Sequence, residues 1–482
     1  MEVSISPSAA SLAKPLRRLL GPERVLDAHS DLAVYECDAF VIEKHCPSVA
    51  VFPQSAAEVA AIVRLCNENA VPFVPRGAGT SLAGGGMPVG GGVMIVLTRM
   101  KAILEVNLRD RFAVVEPGVV NAALNKHLAG TGYHYAPDPS SQGACTIGGN
   151  TATNAGGPHT LKYGVTVNHV LGLEMVTADG EIVRIGGPVE DSPGPDLVGI
   201  IVGGEGTLGI VTRIWVRLTR NPQGVRTMLA VFDSIDDATQ AISDIIGAGI
   251  IPAALEMMDQ GILVAVEEAF KLNFPLDAEA ILLIEVDGLE VGLDAQRDRI
   301  TEICTQNKAR EVRFAADPKE RLQLWKARKQ AFGAIGRLSP SYCTQDGVVP
   351  RTKLPHILRR IREIGAKHDV RIVNVFHAGD GNLHPILLFD ERHPEEIKRV
   401  LAASEEILLE CIACGGSVTG EHGIGLEKLN LMHRMFTEQD LDVMTRLRDS
   451  LNTTGLLSPG KLLPTAGACG MEQVHPGRRA AL

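Results

Sequence analysis

The sequence predicts an α+β fold in two main units, and three observations carry that expectation. Short β-rich runs alternate with amphipathic helices from Ser48 onward. Glycines cluster between Gly77 and Gly209 without a fixed period, which marks close backbone approaches. A second series of strands and helices begins after Arg220-Asn-Pro, as expected for a further sheet-and-helix unit. The chain has 482 residues, 45% hydrophobic and 22% charged, enough for more than one core in an ordinary soluble protein.

The elements follow in order. Residues 1–45 read as an N-terminal helical segment. In residues 46–222, Val49–Phe52 is a strand. Ala56–Asn69 is a helix, with Val59, Ile62, Val63 and Cys66 at helical spacing, and Val71–Pro75 is a strand entering a glycine loop. Further strands are expected at Val93–Leu97, Ala113–Glu116, Val170–Thr177, Ile182–Ile185 and Gly209–Leu218. Gly143–His159 has a loop composition. In residues 223–412, strands Met228–Phe232, Leu255–Met258 and Ile281–Val286 alternate with helices Ile235–Ile246, Gly261–Ala269 and Ala295–Lys308. Helices ending at Lys329 and at His368 follow. Arg371–His377 and Leu383–Phe389 are expected to pair across a Gly-Asp-Gly-Asn turn, in a sheet with helices on one face. Residues 413–464 carry the helix Thr437–Leu451, and residues 465–482 read as disordered.

Composition excludes some functions. Forty-seven basic against fifty-seven acidic residues give −10, which disfavours a nucleic-acid partner. Nine scattered cysteines fit reduced thiols in a cytoplasmic protein, and Cys411-Ile-Ala-Cys414 is a lone pair on one helix face. Neither a signal peptide nor an apolar run long enough to span a membrane is visible.

Two constellations carry chemistry. Pro75–Ser81, Pro137–Ser141, Thr146–Asn150, Asn154–Gly157 and Gly203–Gly209 are turns dense in small and hydroxylated residues, suited to an extended dinucleotide packed against backbone. The spacing does not fit GxGxxG, so a Rossmann site is not expected. Separately, His377-Ala-Gly-Asp-Gly-Asn-Leu-His384 and Glu421-His422-Gly offer two imidazoles and a carboxylate with room for a further ligand. That is a divalent-metal set, best suited to zinc with manganese or iron allowed, with His377, His384 and Glu421 as ligands. Asp380 and Asn382 read as turn residues.

The ordered motifs RGAGTSLAGG, APDPSSQ, TIGGN, NAGG, LKYG and GGEGTLG resemble the FAD-binding domain of the vanillyl-alcohol oxidase and para-cresol methylhydroxylase (PCMH) superfamily. HAGDGNLHP, GEHGIG and Ser458-Pro-Gly-Lys461 resemble its 2-hydroxy-acid dehydrogenase branch, nearest the flavin subunits of bacterial glycolate oxidases, over about residues 35–462. The resemblance implies a two-subdomain PCMH-type FAD domain, a substrate (cap) domain and a C-terminal segment returning to the FAD domain. It places Arg76, Gly77, Ala78, Gly79, Thr80 and Ser81 on the pyrophosphate. Pro137, Asp138, Ser140, Ser141, Thr146, Gly149, Asn150, Asn154 and Gly156 would line the FAD, with Gly206 to Ile210 near its adenosine half. The FAD is expected to be non-covalent, although His159 and Cys145 lie in the right neighbourhood for a bond.

Within that frame His422 is the expected general base and Arg328 the clamp on a substrate carboxylate. Pro385-Ile386, where 2-hydroxyglutarate dehydrogenases carry a polar residue, points to a small monocarboxylic 2-hydroxy acid such as glycolate or D-lactate. The resemblance also implies FAD-binding and iron–sulfur partner subunits passing electrons towards quinone, with peripheral placement at the inner membrane face. The competing readings are a stand-alone D-lactate or D-2-hydroxyglutarate dehydrogenase and an alkyl-glycerone-phosphate-synthase-like transferase.

Overall fold

The alternation in the first unit resolves into two sheets. The computed structural model describes residues 7–189 and 193–464; the tail 465–482, expected to be disordered, lies outside them. Val49–Val51, Val93–Val96 and Phe73–Arg76 pair in parallel, and Val25–Leu26 joins Val49–Val51 antiparallel at the edge. These strands are apolar on both faces because both are covered. Val49, Val51, Val93 and Ile95 meet one core, and Ala50, Val74, Met94 and Val96 meet another. The helix Ala56–Glu68 begins where the Ser55 side chain accepts from the Glu58 N–H, and it buries Val59, Ile62, Val63 and Cys66. Leu16, Leu20 and Val25 enter the same core, so the N-terminal segment packs into the first unit.

The second sheet is antiparallel, in the order Ile103–Asn107, Phe112–Val115, Ile210–Arg217, Val170–Val176, Ile182–Gly186. Within the stretch expected as a loop there is a helix, Ile147–Thr153. Composition misleads here because capping and packing decide the conformation. The Thr146 hydroxyl accepts from the Gly149 N–H, and Asn154 ends the helix in the left-handed region at φ 52. Gly148 lets the backbone approach Pro117, where a Cβ would lie 2.5 Å from the proline Cβ.

The second unit is a nine-stranded sheet. Its long strands Gly224–Phe232 and Ala280–Gly288 pair antiparallel over nine residues each. Helices cover both faces rather than the expected one. Met228, Ala230 and Phe232 pack on Ile235–Gly247, Leu293–Gln306 and Leu354–His368. Leu229 and Val231 share the opposite core with Gln260–Phe270 and Pro318–Lys329. Near-continuous apolar runs in these strands are the consequence, each fully buried Leu or Ile contributing about 1.5–3 kcal/mol. Arg371–His377 and Pro385–Phe389 form the expected antiparallel pair.

The C-terminal segment returns to the first sheet. The Phe73 N–H donates to the Leu456 carbonyl at 2.9 Å, and the Ser458 N–H donates to the Phe73 carbonyl at 2.8 Å. Among the described residues, no helix is long and apolar enough to cross a membrane.

Candidate active site

One cavity of about 470 Å³ runs between the two units. Its long wall comes from the first unit: Arg76 to Ser81, Ser140, Ser141, Thr146, Gly149, Asn150, Gly206 and Ile210. Gly77 permits this wall to close, since a Cβ there would lie 2.6 Å from Thr146 Oγ1. Arg76 is 8% exposed; Nη2 donates to the Cys37 carbonyl at 2.7 Å, while Nη1 has no hydrogen-bond partner. A buried, half-satisfied guanidinium under a glycine loop fits the phosphates of a dinucleotide.

Four of the residues expected on the FAD lie outside the lining of this cavity. Pro137 turns its carbonyl to Asn121 Nδ2 at 3.0 Å. Asp138 is held by His159 at 2.9 Å and Lys329 at 2.8 Å. Asn154 accepts from the Val167 N–H at 2.8 Å. Gly156 packs against Glu421, where a Cβ would lie 2.8 Å from Oε2. None of the four lines the cavity, and neither do His159 or Cys145. His159 lies between Asp138 and Glu285 (3.4 Å); burial opposes its protonation, but the two carboxylates raise its pKa to about 10. A protonated imidazole is no nucleophile.

The short end of the cavity carries His377, His384, Glu421 and His422. On the strand Arg371–His377, Val373 and Val375 fill an apolar core, and two residues on the same face presents His377. Directly opposite stands Glu256, the cross-strand partner of His377 in register. Its carboxylate accepts from His377 Nδ1 at 2.8 Å, leaving Nε2 at 3.2 Å from Glu421 Oε1. His384 Nδ1 faces the Gln345 carbonyl at 3.3 Å, and its Nε2 lies 3.2 Å from the same Glu421 oxygen. Two imidazole nitrogens and a carboxylate oxygen therefore converge, each ring oriented by an acceptor behind it, as metal-ligating histidines usually are.

Charge at this end favours a cation. Burial opposes protonation of His377, yet Glu256 and Glu421 raise its pKa well above the ordinary value. Burial likewise works against the Glu421 carboxylate, but His377 and His384 hold it well below the usual range. His422 differs: burial, with His384 and Lys428, lowers it to about 4 against Asp346 and Glu421. Its ring stacks on His384 at 4.9 Å, and Nδ1 has no hydrogen-bond partner. His422 is thus held towards its neutral form, with Nε2 3.9 Å from Glu421 Oε1.

Arg328 is fully buried and does not line the cavity. It lies one turn after Leu324 on the inner face of Pro318–Lys329, with Nη2 against Glu256, so that it stands behind His377. Nε and Nη1 have no hydrogen-bond partner. Ile386 points into the apolar core, not at the cavity, so the size reading drawn from it loses its geometric basis. Sequence reasoning missed the residues that do line this end: Lys329, Phe332 and Tyr342. Phe332 lies edge-on to His384 at 6.4 Å. Only their neighbourhood to Arg328 and to the Thr344–Asp346 run could have drawn attention to them. Asp380 accepts from the Asn382 N–H at 3.2 Å, the turn role expected of it.

The architecture is that of p-cresol methylhydroxylase. Its substrate-bound crystal structure matches with a TM-score of 0.81, over 95% of this chain and 97% of that one, at 18% identity. Residues 47–186 match the family model "FAD binding domain" and residues 221–462 the model "FAD linked oxidases, C-terminal domain". The chain belongs to the FAD-linked oxidase family and is an FAD-dependent oxidoreductase. It is 43% identical over 470 residues to the glycolate oxidase subunit GlcD of Escherichia coli (strain K12), covering 97% of this chain and 94% of that one. It is 33% identical over 424 residues to a probable mitochondrial D-lactate dehydrogenase of Danio rerio, covering 86% and 84%.

Proposed function

We propose that the protein oxidises a small 2-hydroxy acid, glycolate first among them, to the 2-oxo acid. The convergence of His377, His384 and Glu421 at one end of a glycine-walled cavity, with a neutral His422 beside them, carries this reading. The identity to a glycolate oxidase subunit along nearly the whole chain supports it.

His377, His384 and Glu421 would hold a divalent metal, zinc suiting two imidazoles and a carboxylate best. Bound there, such an ion supplies the acidification of a coordinated hydroxyl, and the FAD, held without a covalent bond, supplies the hydride acceptor. His422 takes the hydroxyl proton on Nε2, the ring nitrogen on the Glu421 side. Arg328, paired with Glu256 behind His377 and outside the cavity's lining, supports the ligand side and is not the clamp on the substrate carboxylate. Phe332 and Tyr342 add apolar surface to the cavity that holds the acid, Phe332 edge-on to His384. Electrons then leave through FAD-binding and iron–sulfur partner subunits towards quinone, in a cytoplasmic complex peripheral to the membrane; the matched relative's name as a subunit supports the existence of partners and nothing finer.

Anaerobic mixing of the purified protein with glycolate, D-lactate and D-2-hydroxyglutarate tests the reading, with flavin bleaching as the signal. Glycolate is expected to bleach fastest; no bleaching by any of the three rejects the function. A D-lactate rate above that of glycolate moves the assignment to the D-lactate dehydrogenases, the reading that the Danio relative favours. His422→Asn is expected to retain FAD and metal while turnover falls by about 10²–10⁴.

A further inference from the structure

Six consecutive backbone N–H groups, Gly420 to Gly425, all donate to side-chain oxygens. Asp346 Oδ2 receives those of Gly420 at 2.9 Å, Glu421 at 3.1 Å and His422 at 2.8 Å. Thr419 Oγ1 receives that of Gly423 at 2.9 Å, and itself donates to Asp346 at 2.6 Å. Glu205 Oε1 and Oε2 receive those of Ile424 and Gly425, both at 2.7 Å. The stretch 421–425 lies outside any helix or strand, so these side chains, and no ladder, fix its path.

The two carboxylates come from different units. Asp346 precedes the strand Gly347–Val348 of the nine-stranded sheet, which also carries His377. Glu205 belongs to the first unit and lines the long wall of the cavity. Its fit is close: it is 7% exposed and adopts φ 49, a left-handed conformation uncommon for a side-chain-bearing residue. A Cβ on Gly423 would lie 2.7 Å from its Oε1. A conformation that costs energy and a glycine that makes room both serve the same two hydrogen bonds.

We propose that Glu205 is a positioning residue that sets His422 against the flavin end of the cavity, while Asp346 sets it against the metal ligands. The proposal rests on the reading of His422 as the base. That base must meet a hydroxyl held by one unit while the C–H beside it faces a cofactor held by the other. A misplacement of about 1 Å is enough to lower turnover by about 10². Glu205 makes no contact with the metal ligands' side-chain nitrogens, so its effect runs through the backbone of 424–425.

Glu205→Gln tests this, because the amide keeps the shape but opposes a donor to one of the two N–H groups. Turnover per bound flavin is expected to fall about 10- to 100-fold, with the KM for glycolate within about threefold and the metal content unchanged. Glu205→Asp, which retains both acceptors, is expected to lie between the variant and the parent. The deciding measurement is the double variant. If Glu205 acts through His422, Glu205→Gln adds no further loss to His422→Asn. Additive losses would overturn the proposal, as would a Glu205→Gln protein that loses flavin yet turns over normally per remaining flavin. A normally active His422→Asn protein would instead overturn the base assignment, whatever Glu205→Gln does.

Discussion

At its flavin end the cavity wall is largely backbone, with Gly77, Gly79, Gly149 and Gly206 standing where a side chain would intrude on its neighbours. At its histidine end, the proposed metal site, the wall is side chain upon side chain: His377 leans on Glu256, Glu256 on Arg328, and His384 on Gln345. The first end binds by shape around the Arg76 guanidinium, and its glycines are damaged by adding atoms. The second, as the proposed metal site, would bind by charge and be damaged by removing one acceptor behind a ligand. Affinity for an extended cofactor is spread over many weak contacts, whereas affinity for a metal rests on three atoms and their supports.

Substitutions that strike one end alone test the contrast. Glu421→Gln, the largest expected effect, should lower turnover by roughly 10³ or more through metal loss, with flavin retained; metal analysis and the visible spectrum read both. Glu256→Gln should weaken metal binding or activity by about 10- to 100-fold, since His377 Nδ1 loses its anionic acceptor. If metal affinity were untouched, orientation by Glu256 would be irrelevant. Gly77→Ala should do the reverse, costing about 1–3 kcal/mol of cofactor binding through the approach to Thr146 while metal content stays unchanged. Metal loss in that variant would erase the distinction between the ends.

The smallest effect concerns the seam between the units, where His159 stands between Asp138 and Glu285. Its folded pKa, raised to about 10 against an ordinary 6.5, contributes stability fully present below pH 6.5 and lost as pH rises through about 10. Thermal midpoints should therefore fall on going from pH 7 to pH 10, and fall less for His159→Gln.

The same contrast explains what could be read in advance. Glycine motifs report the flavin wall because backbone approach leaves a mark in composition; Arg76 to Ser81 were legible for that reason. The convergence of His377, His384 and Glu421 was legible because imidazoles around a turn are rare. Their supports were not: Glu256 lies 121 positions from His377 and joins it only through strand register. Gly156 and Asp138 sat in the right motifs yet turn away from the cavity, because a motif says where the chain passes and not which way a side chain points. The helix Ile147–Thr153 was hidden by its own glycines, whose purpose is contact with Pro117 and Thr146. Ile386 marked a difference from a related group, but the alternation of its strand turns it into the core.

The return of the chain to its first sheet has a consequence for biosynthesis. Phe73–Arg76 gains its edge partner from residues 456–458, and Lys461 Nζ donates to the Gly85 carbonyl across 376 positions. At ~5–20 residues per second, the ribosome reaches that lysine roughly 20–75 s after the glycine loop has emerged. Until then the edge of the parallel sheet stays unpaired and the loop beneath it lacks its last brace. The sheet edge and the Gly85 loop are thus completed only once residues 456–461 have been made.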